Sequence, residues 1–387
     1  MDAPLAATWP LVDKLTAVAR HLKATFVGKD DIIDLLCLSL VARENLFLLG
    51  PPGTAKSALV RALSQRLQGR TFEYLLTRFT EPNELFGPFD IRRLREGELQ
   101  TNTAGMLPEA DLVFLDELLN ANSAILNSLL LVLNERVFRR GPESRPLPAL
   151  LVVGASNHLP QDEALQALFD RFLLRVRCDY VAADELNQVL TAGWGLEGGA
   201  APAEAPSIGA DEVRQLQAAL PLIDVAAVRP QYADVVRQLR LAGLALSDRR
   251  AVKLQRLLAA SALLCQRPAA SPADMWVLRY VWDTDEQREV LAGIVDAEVL
   301  ADEQPAPHPR AATRPAPDAD ALLREVQALA AQWDDPATPA AAQATLRDRL
   351  RHLHGRAQWL PNEVQRHYVQ QPLDALWQKA AQQQEQP

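Results

Sequence analysis

What most restricts the fold of this chain is the segment 45–57, where the apolar run Asn45 to Leu49 passes directly into Gly50-Pro51-Pro52-Gly53-Thr54-Ala55-Lys56-Ser57. A buried strand, a tight glycine turn, a lysine and a hydroxyl at the start of a helix are the components of a phosphate cradle. Successive main-chain N–H groups face the β- and γ-phosphates, Lys56 reaches the same oxygens, and Ser57 ligates Mg²⁺ at the helix N-terminus. Nucleotide binding is therefore the first hypothesis, weighed against an ordinary strand-to-helix turn. The strict pattern has Gly where this chain has Ala55. That departure is tolerable with Ala55 at a negative, helix-like φ, because Gly50 and Gly53 supply any turn that a Cβ would forbid.

A second apolar run, Ala110 to Leu115, ends in Asp116 and Glu117. Open α/β sheets bind ligands beyond the carboxyl ends of their strands. At such a tip Asp116 can hold Mg²⁺ through water or Ser57, and Glu117 can orient and deprotonate the water that attacks in phosphoryl transfer. Alone, an acidic pair after a strand is more often a turn or a helix start; the cradle upstream reverses that balance. A third run, Ala149 to Ala155, ends at Ser156-Asn157-His158. An amide there is a candidate sensor that hydrogen-bonds both phosphate and water, with a turn-forming Asn as the competing reading. Leu168-Phe169-Asp170-Arg171-Phe172 then sets Arg171 at a helix-to-strand junction. An arginine so placed can face a neighbouring subunit's nucleotide and neutralise charge on the transferring phosphoryl group; a surface ion pair with Asp170 is the plainer alternative.

In this order, Gly50 to Ser57, Leu112 to Glu117, Gly154 to Asn157 and Asp170 to Phe172 closely resemble the AAA+ ATPases. Thr77-Arg78-Phe79-Thr80, Glu84-Leu85-Phe86-Gly87-Pro88, Leu107-Pro108-Glu109-Ala110 and Asn134-Glu135-Arg136 narrow the resemblance to the MoxR branch and its RavA-type subfamily, over about residues 20–290. The resemblance implies an α/β fold: a P-loop parallel sheet with helices on both faces, then an all-helical lid and a helical C-terminal extension. It makes Lys56 and Ser57 the Walker A pair, Asp116 and Glu117 the Walker B pair, Asn157 sensor 1 and Arg171 the arginine finger. Ser247-Asp248-Arg249-Arg250 resembles the sensor 2 motif, with Ser247 as N-cap and Arg249, in preference to Arg250, reaching the phosphates. Phe26, Val27 and Gly28 would pack on the adenine of ATP or ADP. Ile91 to Met106, with the turn-like Arg95-Glu96-Gly97-Glu98, resembles the family's hairpin insert. Val137 to Pro148 reads as a second hairpin bending at Arg139-Arg140-Gly141-Pro142. Where relatives often carry a polar amide that restrains the catalytic glutamate, this chain has Arg78, which would form an ion pair with Glu117. The implied function is a hexameric, ring-forming ATPase that couples Mg-ATP hydrolysis to remodelling of a protein client, with a von Willebrand factor A (vWA) domain protein as partner. A nucleotide-gated scaffold and a magnesium-chelatase-like ATPase subunit stay open as alternatives.

The 387 residues exceed one ordinary domain, and an apolar content of 48% is ample for a core. A formal charge of -9 argues against a nucleic-acid motor. Arg92-Arg93 and Arg139-Arg140 fall in the two proposed hairpins, so an acidic client stays open. No stretch approaches the roughly 20 apolar residues of a membrane span, and the start lacks a basic n-region, so a cytoplasmic protein is expected. Cys37, Cys178 and Cys265 lack paired spacing and read as buried free thiols. Helical periodicity covers Leu11 to Leu22 and Asp30 to Arg43, whereas Gly193 to Gly209 reads as an exposed loop. The expected partition is an α/β nucleotide-binding domain with N-terminal helices over 1–180, a helical lid over 181–300, a stiff proline-rich linker over 301–317 and a helical extension over 318–387. Within the extension, Ala319 to Gln332, Pro339 to His354 and Pro361 to Gln384 read as helices. Their own core is expected to include Leu322, Val326, Leu329, Leu346, Leu350, Leu360, Val364, Leu373 and Trp377.

Overall fold

A computed structural model describes residues 3–97, 99–141, 143–160, 162–181, 185–197, 205–300, 307–312, 319–333, 346, 350, 353–354, 357 and 363–382. The expected apolar runs are strands: β1 (Leu46–Leu49), β2 (Thr71–Leu75), β3 (Leu112–Asp116), β6 (Leu151–Ser156) and β7 (Leu174–Arg177), with β4 (Val137–Arg140) and β5 (Glu143–Pro146) between β3 and β6. The five strands other than β4 and β5 form one sheet, in the order β2-β3-β6-β1-β7, and every pairing in it is parallel. All residues of β1 and β6 are buried, as continuous apolar runs covered on both faces must be. Strand β2, at the edge, exposes Thr71, Glu73 and Leu75.

Parallel strands share one carboxyl edge, so the chain leaves β3, β6 and β1 side by side. Asp116 at the end of β3, Ser156 at the end of β6 and Leu49 at the end of β1 therefore lie in adjacent positions, and the register Leu49↔Ser156 fixes two of them level. The helix Asp30–Ala42 is buried at every position from Ile32 to Ala42; a helix apolar all round belongs in the interior. Two glycines permit close approach. A Cβ on Gly50 would lie 2.2 Å from the Cys178 carbonyl oxygen, and one on Gly154 would lie 2.7 Å from Leu118 Cδ2.

Residues 137–146 form the expected antiparallel hairpin, with Gly141 at φ 59. The other insert differs from its expectation. Ile91–Arg95 is a short helix, and the only β-pairing between the two limbs among the described residues is a single antiparallel bridge, Phe89↔Thr101. Asp90 accepts from the Arg92 main-chain N–H at 2.8 Å, an N-terminal turn that starts the helix where a strand would have continued. The exposed loop expected over Gly193 to Gly209 is corrected at its two ends, and residues 198–204 lie outside the described ones. Gly193 lies in the helix Leu186–Glu197, and Ile208–Gly209 pairs with Leu67–Gln68.

From residue 205 to 300 the chain is almost wholly helical, including Arg229–Leu241, Asp248–Leu264 and Gln287–Leu300. Residues 307–312, expected inside an extended linker, are folded onto this part of the chain. His308 stacks on Trp276 with centroids 4.6 Å apart, Pro309–Ala312 is helical, and Arg310 bonds Asp34 at 2.8 Å. Residues Met1–Ala312 form one compact unit and Thr313–Pro387 another. In the second, Ala319–Trp333 and Glu363–Gln382 are helices. Its core holds Leu322, Val326, Leu329, Leu346, Leu350 and Leu373 as expected, with Leu376 buried where Trp377 was expected; Trp377 is exposed. Leu360, Val364 and most of the expected helix Pro339 to His354 lie outside the described side chains or residues.

Candidate functional site

The carboxyl edge of β1, β6 and β3 opens into a cavity of about 290 Å³ lined by residues Pro52 to Ala58 with Asp116, Glu117 and Asn157. Lys56, on the first turn of the helix Lys56–Arg66, is buried, and its Nζ donates to the Gly50 and Pro51 carbonyl oxygens at 2.6 and 2.8 Å and to Asn157 Oδ1 at 3.2 Å. Those carbonyls hold the ammonium over the loop in a geometry it can exchange for phosphate oxygens. Ser57 Oγ donates to Asp116 Oδ2 at 2.7 Å, and the other oxygen of Asp116 accepts from the Glu117 main-chain N–H at 3.0 Å. A hydroxyl and a carboxylate converging through hard oxygen donors suit Mg²⁺, which takes few protein ligands beside water and phosphate. No group of three or more His, Cys, Asp or Glu side chains fit to hold a metal occurs among the described residues.

The Asn157 amide bridges the two halves of this site. Its oxygen accepts from Lys56, while its Nδ2 donates to Glu117 Oε1 in a close contact; Asn120 Nδ2 adds a bond to the other oxygen of Glu117 at 3.3 Å. The expected Arg78–Glu117 ion pair is corrected by this arrangement. Arg78 is exposed, and among the described contacts its carbonyl accepts from Asn122 Nδ2 at 3.3 Å while the glutamate is held by two amides. Asn120 went unsuspected in the sequence because it lies in a one-turn 3₁₀ segment, Leu118–Asn120, with no apolar pattern of its own.

Ala55 overturns a second expectation. Its φ is 67, left-handed rather than helical, and Glu117 is left-handed too at φ 51. For non-glycine residues this conformation costs roughly 1–2 kcal/mol, and such strain concentrates at functional sites. Gly53 is left-handed at φ 79, so the left-handed positions of the loop are Gly53 and Ala55 rather than Gly50 and Gly53.

The remaining expected residues are distributed less tightly. Thr54 is buried, with its hydroxyl donating to the Pro51 carbonyl at 2.9 Å. Phe26 is buried and Val27 half-buried; Gly28, at φ 68, is crowded by Glu185 and Val181, which stand 2.8 and 3.1 Å from where its Cβ would be. None of these three lines the cavity. Neither do Arg249 and Arg250. Ser247 caps the helix as expected, accepting from the Arg250 N–H at 3.2 Å, and Arg249 is exposed. Arg250 is buried, donating to Asp283 at 3.0 Å and to the Val281 carbonyl at 2.6 Å. Arg171 carries the surface pair considered as its alternative, 3.4 Å from Asp170, while its main-chain oxygen accepts from Asn45 Nδ2 at 2.8 Å.

A charged cluster absent from the sequence reading lies behind Arg171. Arg175 on β7 is fully buried, donates to Asp283 and to the Trp282 carbonyl, and sits 4.2 Å over the Phe169 ring. Burial, and secondarily Arg250, push its guanidinium down to about 9. The free thiols behave as small apolar groups. Cys37 and Cys178 are buried and Cys265 half-buried, and burial pushes Cys37 up to about 12 and Cys265 to about 11.

The parallel sheet, the cradle after β1 and the helical segment that follows define a AAA+ nucleotide-binding module. Residues 13–218 match the family model described as the MoxR domain in the MoxR-vWA-beta-propeller ternary systems, and residues 225–295 match an AAA lid domain. The chain belongs to the MoxR family of AAA+ ATPases. It is 33% identical over 288 residues to an uncharacterized protein of Methanocaldococcus jannaschii, covering 74% of each chain. It is 26% identical over 175 residues to the chaperone MoxR1 of Mycobacterium tuberculosis, covering 44% of this chain and 45% of that one. The crystal structure of a proposed ATPase from Cytophaga hutchinsonii has a similar fold, with a TM-score of 0.62 at 18% identity over 74% of this chain and 95% of that one. No described helix is long and apolar enough to cross a membrane.

Proposed function

We propose that this chain hydrolyses ATP to ADP and phosphate in a ring of like subunits and uses the cycle to remodel or mature a partner protein. The observation that carries the reading is the convergence of Lys56, Ser57, Asp116, Glu117 and Asn157 on one cavity beside the cradle. Lys56 exchanges its carbonyl partners for β- and γ-phosphate oxygens. Mg²⁺, held by Ser57 Oγ and Asp116, would neutralise developing phosphate charge. Glu117 takes a proton from water as the water oxygen bonds to the γ-phosphorus and the bond to the β-bridging oxygen breaks. Asn157 is the natural reporter, because its amide already spans the phosphate lysine and the base. Arg171 is assigned to the neighbouring protomer's nucleotide, which makes turnover depend on assembly, with a hexamer as the expected ring.

Phe26, Val27 and Gly28 are assigned to the adenine, and Arg249, exposed at the start of its helix, is the better candidate for a phosphate contact from the lid, since Arg250 is committed to Asp283. The domain partition is proposed with the sheet and lid as the working module and the helical extension as an appendage, in a cytoplasmic setting. The matched family model is described by its vWA and β-propeller systems, so a vWA domain protein is the proposed partner. The RavA-type placement rests on the resemblance of Thr77 to Thr80, Glu84 to Pro88, Leu107 to Ala110 and Asn134 to Arg136. Calorimetric titration with Mg-ATP, combined with a phosphate-release assay, tests the core of the reading. Uptake with turnover supports it, uptake without turnover reduces it to a nucleotide-gated scaffold, and no uptake refutes it. A pull-down with Glu117→Gln loaded with ATP tests the partner.

A further inference from the structure

The two oxygens of Asp170 are divided between two arginines that belong to different parts of the molecule. Oδ2 lies 3.4 Å from Arg171 Nη1, and Oδ1 lies 3.7 Å from Nη1 of Arg250, on the lid helix Asp248–Leu264. Arg250 has no freedom to shift independently of its surroundings. It is buried and bonded to Asp283 and Val281, and Asp283 is in turn shared with the fully buried Arg175 of β7. A guanidinium that is both desolvated and multiply bonded is fixed in place, because moving it would leave charge uncompensated in the interior. Arg171 is different. Its main chain is pinned by Asn45, whose side-chain oxygen is held by Arg136 at 2.7 Å, but its side chain is part exposed and its buried Nε has no hydrogen-bond partner. Its only ion pair among the described residues is the 3.4 Å contact with Asp170, which geometry and solvent make weak.

We infer that Asp170 is a positioning residue: with Oδ1 beside the fixed guanidinium of Arg250, its carboxylate aims Arg171 at the neighbouring protomer's nucleotide. The inference rests on the finger assignment of Arg171. The weakness of the tether is part of the device, since Arg171 must leave Asp170 readily to meet phosphate oxygens. Asp170 itself touches neither substrate nor the reacting atoms.

The test is a mixing experiment on the full chain. As donor, each variant also carries Lys56→Ala, which silences its own site, and is mixed with Arg171→Ala subunits, whose sites turn over only with a neighbour's finger; as acceptor, it also carries Arg171→Ala and is mixed with Lys56→Ala donors, with phosphate release as the readout. Asp170→Asn keeps the shape and removes the charge. As finger donor it should lower the acceptor's kcat about tenfold, with kcat and KM for ATP unchanged when it serves as acceptor, and Asp170→Glu should recover part of the donor loss. Normal donation by Asp170→Asn overturns the inference, as does an equal loss in donor and acceptor roles, which marks a general folding defect. Arg171→Ala is run beside it. If that variant donates as well as the parent, the finger assignment falls and this inference with it; if it does not donate while Asp170→Asn donates fully, only the role of Asp170 falls.

Discussion

The cradle and the seam behind Arg171 use the same side-chain chemistry to opposite ends. Around the cradle, Lys56, Asp116 and Glu117 are held by carbonyls, a hydroxyl and amides, partners a ligand can displace or share, and they face a cavity. In the seam, Arg175 and Arg250 are locked on Asp283 with almost no exposure, so charge is used to fix geometry. The difference teaches that a charged group is available for chemistry when its native partners are neutral and replaceable, and is structural when its partner is an opposite charge sealed in the interior.

That contrast is open to being broken. The largest effect expected is for Glu117→Gln, which should cut ATP turnover by roughly 10²–10⁴-fold while calorimetry finds ATP binding and thermal unfolding unchanged; retained turnover would remove Glu117 as the base. Asp283→Ala should do the reverse, destabilising the first unit by about 3–5 kcal/mol in denaturant unfolding because it strands two buried guanidiniums. Its nucleotide affinity per folded molecule should hold. If that variant melts normally, the seam is not the structural element described.

A smaller effect is expected at His308. Burial pushes the imidazole down to about 4, with Lys23, Arg310 and Arg267 acting in the same direction against Asp34. A histidine whose folded value lies below its unfolded value of about 6.5 binds its proton more readily when unfolded. Its contribution is therefore complete above about pH 6.5 and is lost as the pH falls toward 4, on the order of 2–3 kcal/mol in total. Comparing wild type with His308→Gln by chemical denaturation across that range should show the extra acid sensitivity only in the wild type. The smallest effect is at Ala55. Replacing it with Gly relieves a left-handed φ and should stabilise the fold by about 0.5–1 kcal/mol after the entropic cost of glycine; a loss of stability would show that the strain is not real.

The cradle was legible from the sequence because its chemistry is local: 45–57 encodes strand, turn and helix in one stretch, and Asp116, Glu117 and Asn157 each end an apolar run. Ala55 was misread for a local reason as well, since substituting a residue for glycine usually signals that the positive φ is gone, and here it is kept. The first insert was misread because Arg95 to Glu98 looks like a hairpin turn, whereas Asp90 upstream supplies a helix start. Pro309 reads as linker in the sequence because nothing nearby in the chain reveals that Trp276 and Asp34 provide a surface for residues 307–312.

Residue pattern is enough to establish that alternating apolar runs and helices build a parallel sheet with a phosphate loop after one strand and acids and an amide after two others, because strand burial and turn chemistry are written residue by residue. It takes the folded chain to reveal that Asn157 and Asn120, rather than Arg78, hold Glu117, that Arg250 turns to Asp283, and that Asp170 stands between Arg171 and Arg250. Apart from Asn120 with Glu117 and Arg171 with Asp170, those pairings join residues 33 to 80 positions apart. A long charged side chain can reach several partners, and which one it takes is fixed by the burial and competing charges of the assembled interior.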